Sequence, residues 1–368
     1  MLNAVREMCR SFAERDAADA EEYPRANVDD LLREGVHAAP FSTARGGRDL
    51  RLENAVAIVE AVAEASPSTA LLLAMPLGLA GVVTGSAPAA PAEHRAAYEA
   101  QIDRIAADFR AKKIYAACNS ERGAGGSLAA TKTTARRGEG GAILLDGEKI
   151  LASFGQNADY FFSTAKKEDG SVEFFVLNAR APGVAVAADW DGFGMRSTES
   201  HSVRLAGAAA REQLGWPGFL DGARPTSWWW CLFAAIPLGC AAAVLRAVGT
   251  PAPKSPAVRA RCADALMRIE SLRAYLRDTA SRWRPAGPRE LEARMLRTKT
   301  YVSQEATRLC GELFALSGGR HYTRGGAAAR ALADSFAGTA LRPPLPLALE
   351  TLTEGFSAAA LDDADPPG

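Results

Sequence analysis

The sequence predicts an α+β fold in three consecutive parts: a helical domain over residues 1–112, a small β-domain over 113–215 and a helical bundle over 216–360. Three observations carry this. Val56, Val59 and Val62 recur at helical spacing; after Lys113 the pattern changes to short apolar runs separated by turn residues; after Trp216–Pro217 long stripes of period 3.6 return. In the first part Pro67 and Pro76 are read as punctuation, Ser86–Pro91 (SAPAAP) as a loop, and Glu93–Phe109 as a charged amphipathic helix. The β-domain's clearest runs are Ala142–Leu145, Lys149–Ser153, Tyr160–Ala165, Val172–Leu177 and Ser202–Leu205.

In the last part, Leu266, Ile269, Leu272 and Leu276 form one stripe and Val302, Ala306, Leu309, Leu313 and Leu316 another, with Arg284–Pro288 (RPAGP) as the turn between antiparallel helices. Residues 361–368 read as a disordered polar tail. The 368-residue chain balances 43 basic against 43 acidic side chains, which argues against nucleic acid as a main partner. The longest apolar run, Trp228–Leu245, contains Pro237 and many alanines and reads as a buried helix rather than a membrane span. Six dispersed cysteines without a CxxC pair, and only four histidines, argue against a disulfide scaffold or zinc site and fit a reducing cytoplasm.

Four stretches then carry a resemblance. Cys118–Gly126 (CNSERGAGG) is a strand followed by a hydroxyl, a glutamate and a Gly-rich turn, in which backbone N–H groups can approach a ring edge closely. Gly147–Ser153 (GEKILAS), followed by Ala158–Asp159, is a strand pair ending in a hydroxyl. Gly194–His201 (GMRSTESH) is the most specific, and Phe314–Tyr322 (FALSGGRHY) is a Gly-Gly turn with Arg330 and Asp334 beyond it. Together they resemble the acyl-CoA dehydrogenase family of flavoproteins across nearly the whole chain.

The resemblance implies an N-terminal helical domain, a central small β-barrel or β-sandwich and a C-terminal four-helix bundle that pairs into a homodimer or homotetramer. It implies FAD as cofactor, bordered by Cys118, Ser120, Gly125, Gly126, Leu151, Ala152 and Ser153, with Ser153 at the hydroxyl that faces flavin N5 and O4. Trp229, Trp230 and Arg342 are implied for the substrate pocket, while His201 and Glu199 read as scaffold.

Departures from the family pattern bear on chemistry. The proton-abstracting glutamate falls on Arg342 or Ala337, and its alternative position on an earlier helix falls in Ser227–Trp230, so neither place holds an acid. The FAD-anchoring Arg-x-x-Phe segment is replaced by Gly249–Pro256, and an expected glutamine is Ala315. The leading expectation is an oxidoreductase acting on an acyl thioester carried by CoA or a carrier protein. The alternatives are a flavin-dependent monooxygenase on the same fold, and a cofactor-poor homologue with a non-redox role or serving as a silent subunit. No catalytic residue is assigned, and Glu354 is left as an alternative base.

Overall fold

The computed structural model describes residues 1–323 and 325–354; the tail expected over 361–368 lies outside them. Helices α1 (Leu2–Ala18), α2 (Arg25–Arg33), α3 (Leu52–Ala65), α4 (Pro67–Ser86) and α5 (Ala92–Arg110) come first. Val56, Val59 and Val62 are fully buried on α3. α4 is apolar on every face and almost wholly buried, as a helix with no polar stripe must be.

Pro76 does not interrupt α4, contrary to expectation, because packing on all sides outweighs the roughly 3 kcal/mol that an interior proline costs. The expected connection at SAPAAP joins α4, which ends at Ser86, to the next helix and contains a 3₁₀ turn, Ala87–Ala89.

The β-domain comprises β1 (Tyr115–Ala117), β2 (Thr134–Arg137), β3 (Ile143–Ala152), β4 (Tyr160–Lys166), β5 (Val172–Asn178), β6 (Val184–Val186) and β7 (His201–Leu214). β2, β3, β7, β5 and β4 pair in that order, and β4 closes onto β2, which makes a small barrel. β1 extends β4 in parallel and β6 lies along β7. The runs Ala142–Leu145 and Lys149–Ser153 merge into β3, whose register against β7 shifts twice. β1, β2 and β6 are too short, or too polar, to stand out in the sequence. The middle five residues of β4 and of β5 are buried, because one face fills the barrel and the other lies under helices.

The C-terminal part holds α6 (Phe219–Ala223), α7 (Ser227–Gly249), α8 (Pro256–Ser281), α9 (Arg289–Leu316), α10 (Ala327–Ser335), α11 (Ala337–Ala340) and α12 (Leu345–Glu354). α7 is central and packs on α3, α4, α8, α9 and α10. Segments 67–89 and 227–249 are long and apolar enough to cross a membrane, but 83% and 72% of their most apolar windows are buried in the fold. Leu266 is an exception to its stripe: it is exposed, and Ala265 takes the inward position beside Ile269, Leu272 and Leu276.

Gly194–Met195 joins barrel to bundle. A Cβ on Gly194 would lie 2.5 Å from the Ala333 carbonyl oxygen, and the Met195 N–H donates to Asp334 at 2.6 Å. Burial pushes the Asp334 carboxyl up to about 7. His201 Nδ1 accepts the N–H groups of Asp189 and Trp190, and Glu199 accepts from Asn157, so both are satisfied scaffold residues.

Candidate functional site

A cavity of about 570 Å³ opens where the barrel meets α4, α7 and the turn after α11. That volume falls in the range of roughly 300–1,000 Å³ usual for small-molecule sites. Its floor comes from the Gly-rich turn and from β3. Gly123, Gly125 and Gly126 all have positive φ, which a side chain would strain, and a Cβ on Gly126 would lie 2.3 Å from Pro344. The Ile150 N–H donates to the Ser120 carbonyl at 2.8 Å, which ties the turn to β3. Leu151 follows with φ of 58° and lies half exposed at the rim.

The opposite wall is aromatic. Phe162 stacks on Trp229 with centroids 5.4 Å apart, and Phe174, Trp230 and Phe233 continue the surface. The three consecutive tryptophans divide. Trp229 and Trp230 line the cavity, whereas Trp228 turns into the bundle against Gly81 and Trp283. Trp229 is held by Nε1 donating to the Ala74 carbonyl at 3.1 Å, over Gly78 of the same helix.

Of the residues implied to border a cofactor, Ser120, Gly125, Gly126, Leu151 and Ser153 line this cavity, as do Trp229, Trp230 and Arg342. Cys118 and Ala152 do not. Both are fully buried behind the wall, and burial pushes the Cys118 thiol up to about 12, which leaves it inert. Ala152 ends β3 facing inward, since successive strand side chains face opposite sides, and Cys118 follows β1 directly with its side chain in the core. Glu354 is exposed on α12 and is not part of the wall.

Among the described residues Glu121 is the one acid on the wall, and both of its oxygens accept hydrogen bonds. Oε1 accepts from Lys149 Nζ (2.6 Å), Thr131 Oγ1 (2.6 Å), Thr133 Oγ1 (2.7 Å) and Thr133 N (3.1 Å), and Oε2 accepts from Lys132 N (2.6 Å). Burial alone would raise its pKa, but these donors outweigh burial and hold the carboxyl at about 2. Burial draws the Lys149 ammonium below the usual lysine range, and the Glu121 carboxylate opposes that shift. A carboxylate this stabilised is a poor proton acceptor, so Glu121, the one acid among the described wall residues, is unsuited to act as a general base. Sequence reasoning missed the pair. Its one trace was a lysine in the apolar run of β3.

Ser153 belongs to a chain of hydroxyls whose polarity is fixed at its far end. Thr198 Oγ1 donates to the Met195 carbonyl at 2.8 Å, so Ser200 donates to Thr198 (2.7 Å) and Ser153 donates to Ser200 (2.9 Å). With its proton committed inward, the Ser153 oxygen faces the cavity as an acceptor. A cavity group opposite it is best matched when it carries an N–H.

Lys299 stands behind the turn after α11. Its Nζ donates to the carbonyls of Leu341 (2.8 Å) and Pro343 (2.6 Å), on either side of Arg342. Burial lowers its pKa to about 7. A base whose folded pKa lies below its unfolded value binds fewer protons when folded, so its contribution to stability rises with pH between about 7 and 10. The wild type is therefore expected to gain about 2 kcal/mol relative to Lys299→Met between pH 7 and pH 9. Urea unfolding of both proteins at the two pH values measures this difference, and a parallel response of the two contradicts it.

Comparison with known proteins agrees with the fold. Residues 1–88 match the acyl-CoA dehydrogenase N-terminal domain, 116–208 the middle domain and 221–341 the C-terminal domain, and the chain belongs to the acyl-CoA dehydrogenase family. A probable acyl-CoA dehydrogenase, YngJ of Bacillus subtilis, is 24% identical over 363 residues, covering 90% of this chain and 91% of the relative. L-evernosamine nitrososynthase of a Micromonospora species is 29% identical over 196 residues, covering 51% of this chain and 44% of the relative. Two solved structures share the fold at 20% identity. FMN-bound TdsC of Paenibacillus sp. A11-2 has a TM-score of 0.80, covering 99% of this chain and 98% of its own. Butyryl-CoA dehydrogenase of Megasphaera elsdenii has a TM-score of 0.81, with 96% and 97% covered.

Proposed function

We propose that this protein is a flavin-dependent monooxygenase on the acyl-CoA dehydrogenase fold, using reduced flavin to oxygenate a small, largely apolar substrate. The observation that carries the reading is the wall itself. It offers glycine backbone to a planar ring and aromatic faces to a substrate, while the one carboxylate among its described residues is held at about 2 and is a poor acceptor for an α-proton of an acyl thioester.

The residues fit a flavin ring. Gly123, Gly125 and Gly126 let the backbone come close, and the Ser120 hydroxyl and the Ser153 oxygen stand at the rim as polar partners. Ser153, as an acceptor, favours the reduced ring, whose N5 bears a proton. FMN is preferred to FAD in this reading, because residues 249–256 lack the family's nucleotide anchor and because the similar TdsC structure holds FMN. A bound reduced flavin supplies two electrons and two protons for splitting dioxygen: one oxygen atom enters the substrate and the other leaves as water. The chain's own part is to orient the substrate against the aromatic wall and to keep bulk water from the reacting centre.

Oxidation of an acyl thioester is the second reading, favoured by the end-to-end similarity to a probable acyl-CoA dehydrogenase. Two observations separate them. Oxygenation predicts that FMN-loaded protein keeps its visible absorbance when mixed anaerobically with butyryl-CoA, and that reduced protein exposed to ¹⁸O₂ with indole or 2-naphthoate yields a product heavier by one labelled atom. Anaerobic bleaching of the flavin by butyryl-CoA establishes the second reading and removes the first.

A further inference from the structure

Among the described residues Arg342 forms no salt bridge, although Glu121 lies close enough to favour its charge. Arg342 lies in the turn between α11 and α12 and forms part of the cavity wall, where Nη2 donates to Ser120 Oγ at 3.2 Å. Its Nη1 is buried and has no hydrogen-bond partner among the described residues. Glu121 is the nearby acid, but its oxygens are taken by Lys149, the two threonines and the Lys132 backbone. Burial lowers the guanidinium to about 10, so it remains charged at neutral pH.

The arginine cannot easily retreat. Lys299 grips the carbonyls before and after it, and Pro344 seats against Gly126. Desolvating a charge and leaving part of it unpaired is costly unless a partner arrives, and a planar guanidinium fork is matched by a planar carboxylate. The rest of the wall is aromatic: Phe162, Phe174, Trp229, Trp230 and Phe233.

Building on the proposed function, we infer that the substrate is a flat aromatic or heteroaromatic acid whose carboxylate is bound by Arg342 while its ring lies against the Trp229–Phe162 face.

Binding of 2-naphthoate and 2-naphthamide to the flavin-free protein at pH 7, followed by tryptophan fluorescence, tests this without any turnover. The acid is expected to bind at least about tenfold more tightly than the amide, as a charge-assisted bidentate contact implies. Arg342→Gln should abolish the preference while leaving amide binding within about twofold, and Arg342→Lys should restore part of it. Equal binding of acid and amide by the wild type overturns the inference. So does a loss of FMN affinity in Arg342→Gln with riboflavin affinity unchanged, because the anion is then the cofactor's phosphate. If the preference holds but no labelled oxygen is incorporated, the anion site stands and the oxygenase reading falls alone. Thermal unfolding of each variant confirms that the comparison is made on folded protein.

Discussion

Lys149→Met lowers the stability of the protein by about 3–5 kcal/mol, the usual consequence of removing one member of a buried ion pair and stranding the other. The side chains of Lys149 and Glu121 are 0% and 3% exposed, and Nζ also donates to the Thr164 carbonyl at 2.7 Å. The variant leaves the carboxylate with its hydroxyl and backbone donors but without its counter-charge, at the cavity wall. The double variant Lys149→Met/Glu121→Gln removes the stranded charge and is expected to recover part of the loss, because a neutral amide oxygen still accepts from the threonines.

The same pair sets a pH window. Glu121 has a folded pKa below its unfolded value, so its contribution is complete above about pH 4.5 and disappears as pH falls toward 2. Urea midpoints at pH 7 for the wild type, single and double variants measure the loss and the recovery. A single variant within 1 kcal/mol of wild type contradicts the assignment of this pair as a buried structural clamp.

Gly78→Ala is the second large effect, and its sign is a contest. Alanine is the better helix former by about 1 kcal/mol, which favours the variant. Against this, a Cβ at Gly78 would lie 1.8 Å from Trp229 Nε1, and an indole pushed away from it toward the cavity loses its hydrogen bond to the Ala74 carbonyl and its stacking on Phe162. Overpacking of this kind costs about 1–3 kcal/mol, and displacing the indole strands a buried N–H for about 1–3 more. The net expectation is a loss of about 2 kcal/mol, with weakened binding of aromatic ligands because Trp229 is part of the wall. Gly311→Ala in α9 is the control: its Cβ meets nothing, and the change should be neutral or stabilising by up to about 1 kcal/mol. Equal behaviour of the two variants removes the wedge argument.

What was legible in the sequence is what depends on local pattern or on spacing along the chain. The helical stripes, the β-domain and the Gly194–His201 joint could be read because each carries its own period or motif, and the joint is seated against Asp334 through a backbone contact only glycine permits. Illegible were the features decided by elements distant along the chain. Which of Trp228, Trp229 and Trp230 faces a cavity is set by Gly78 and Gly81 on a helix some 150 residues earlier. Cys118 and Ala152 fell among the expected cofactor contacts because a motif gives a stretch of strand, not the side each residue faces. Lys149, Glu121 and Lys299 are charged residues that a sequence places on the surface by default, and only three-dimensional packing reveals that they are buried and partnered. Arg342, reached as the residue standing where a glutamate was sought, gains its meaning from the burial of its unpaired nitrogen.

Oxygenation in this cavity requires a flavin ring that lies against the glycine turn and Ser153 and is used in its reduced form. An anaerobic spectral titration of the purified chain with FMN, repeated with dithionite-reduced FMN, addresses this most directly. A one-to-one complex with perturbed flavin absorbance, tighter for the reduced form, is the predicted result. Absence of any complex in either redox state up to about 1 mM, where binding is worth only about 4 kcal/mol, contradicts it.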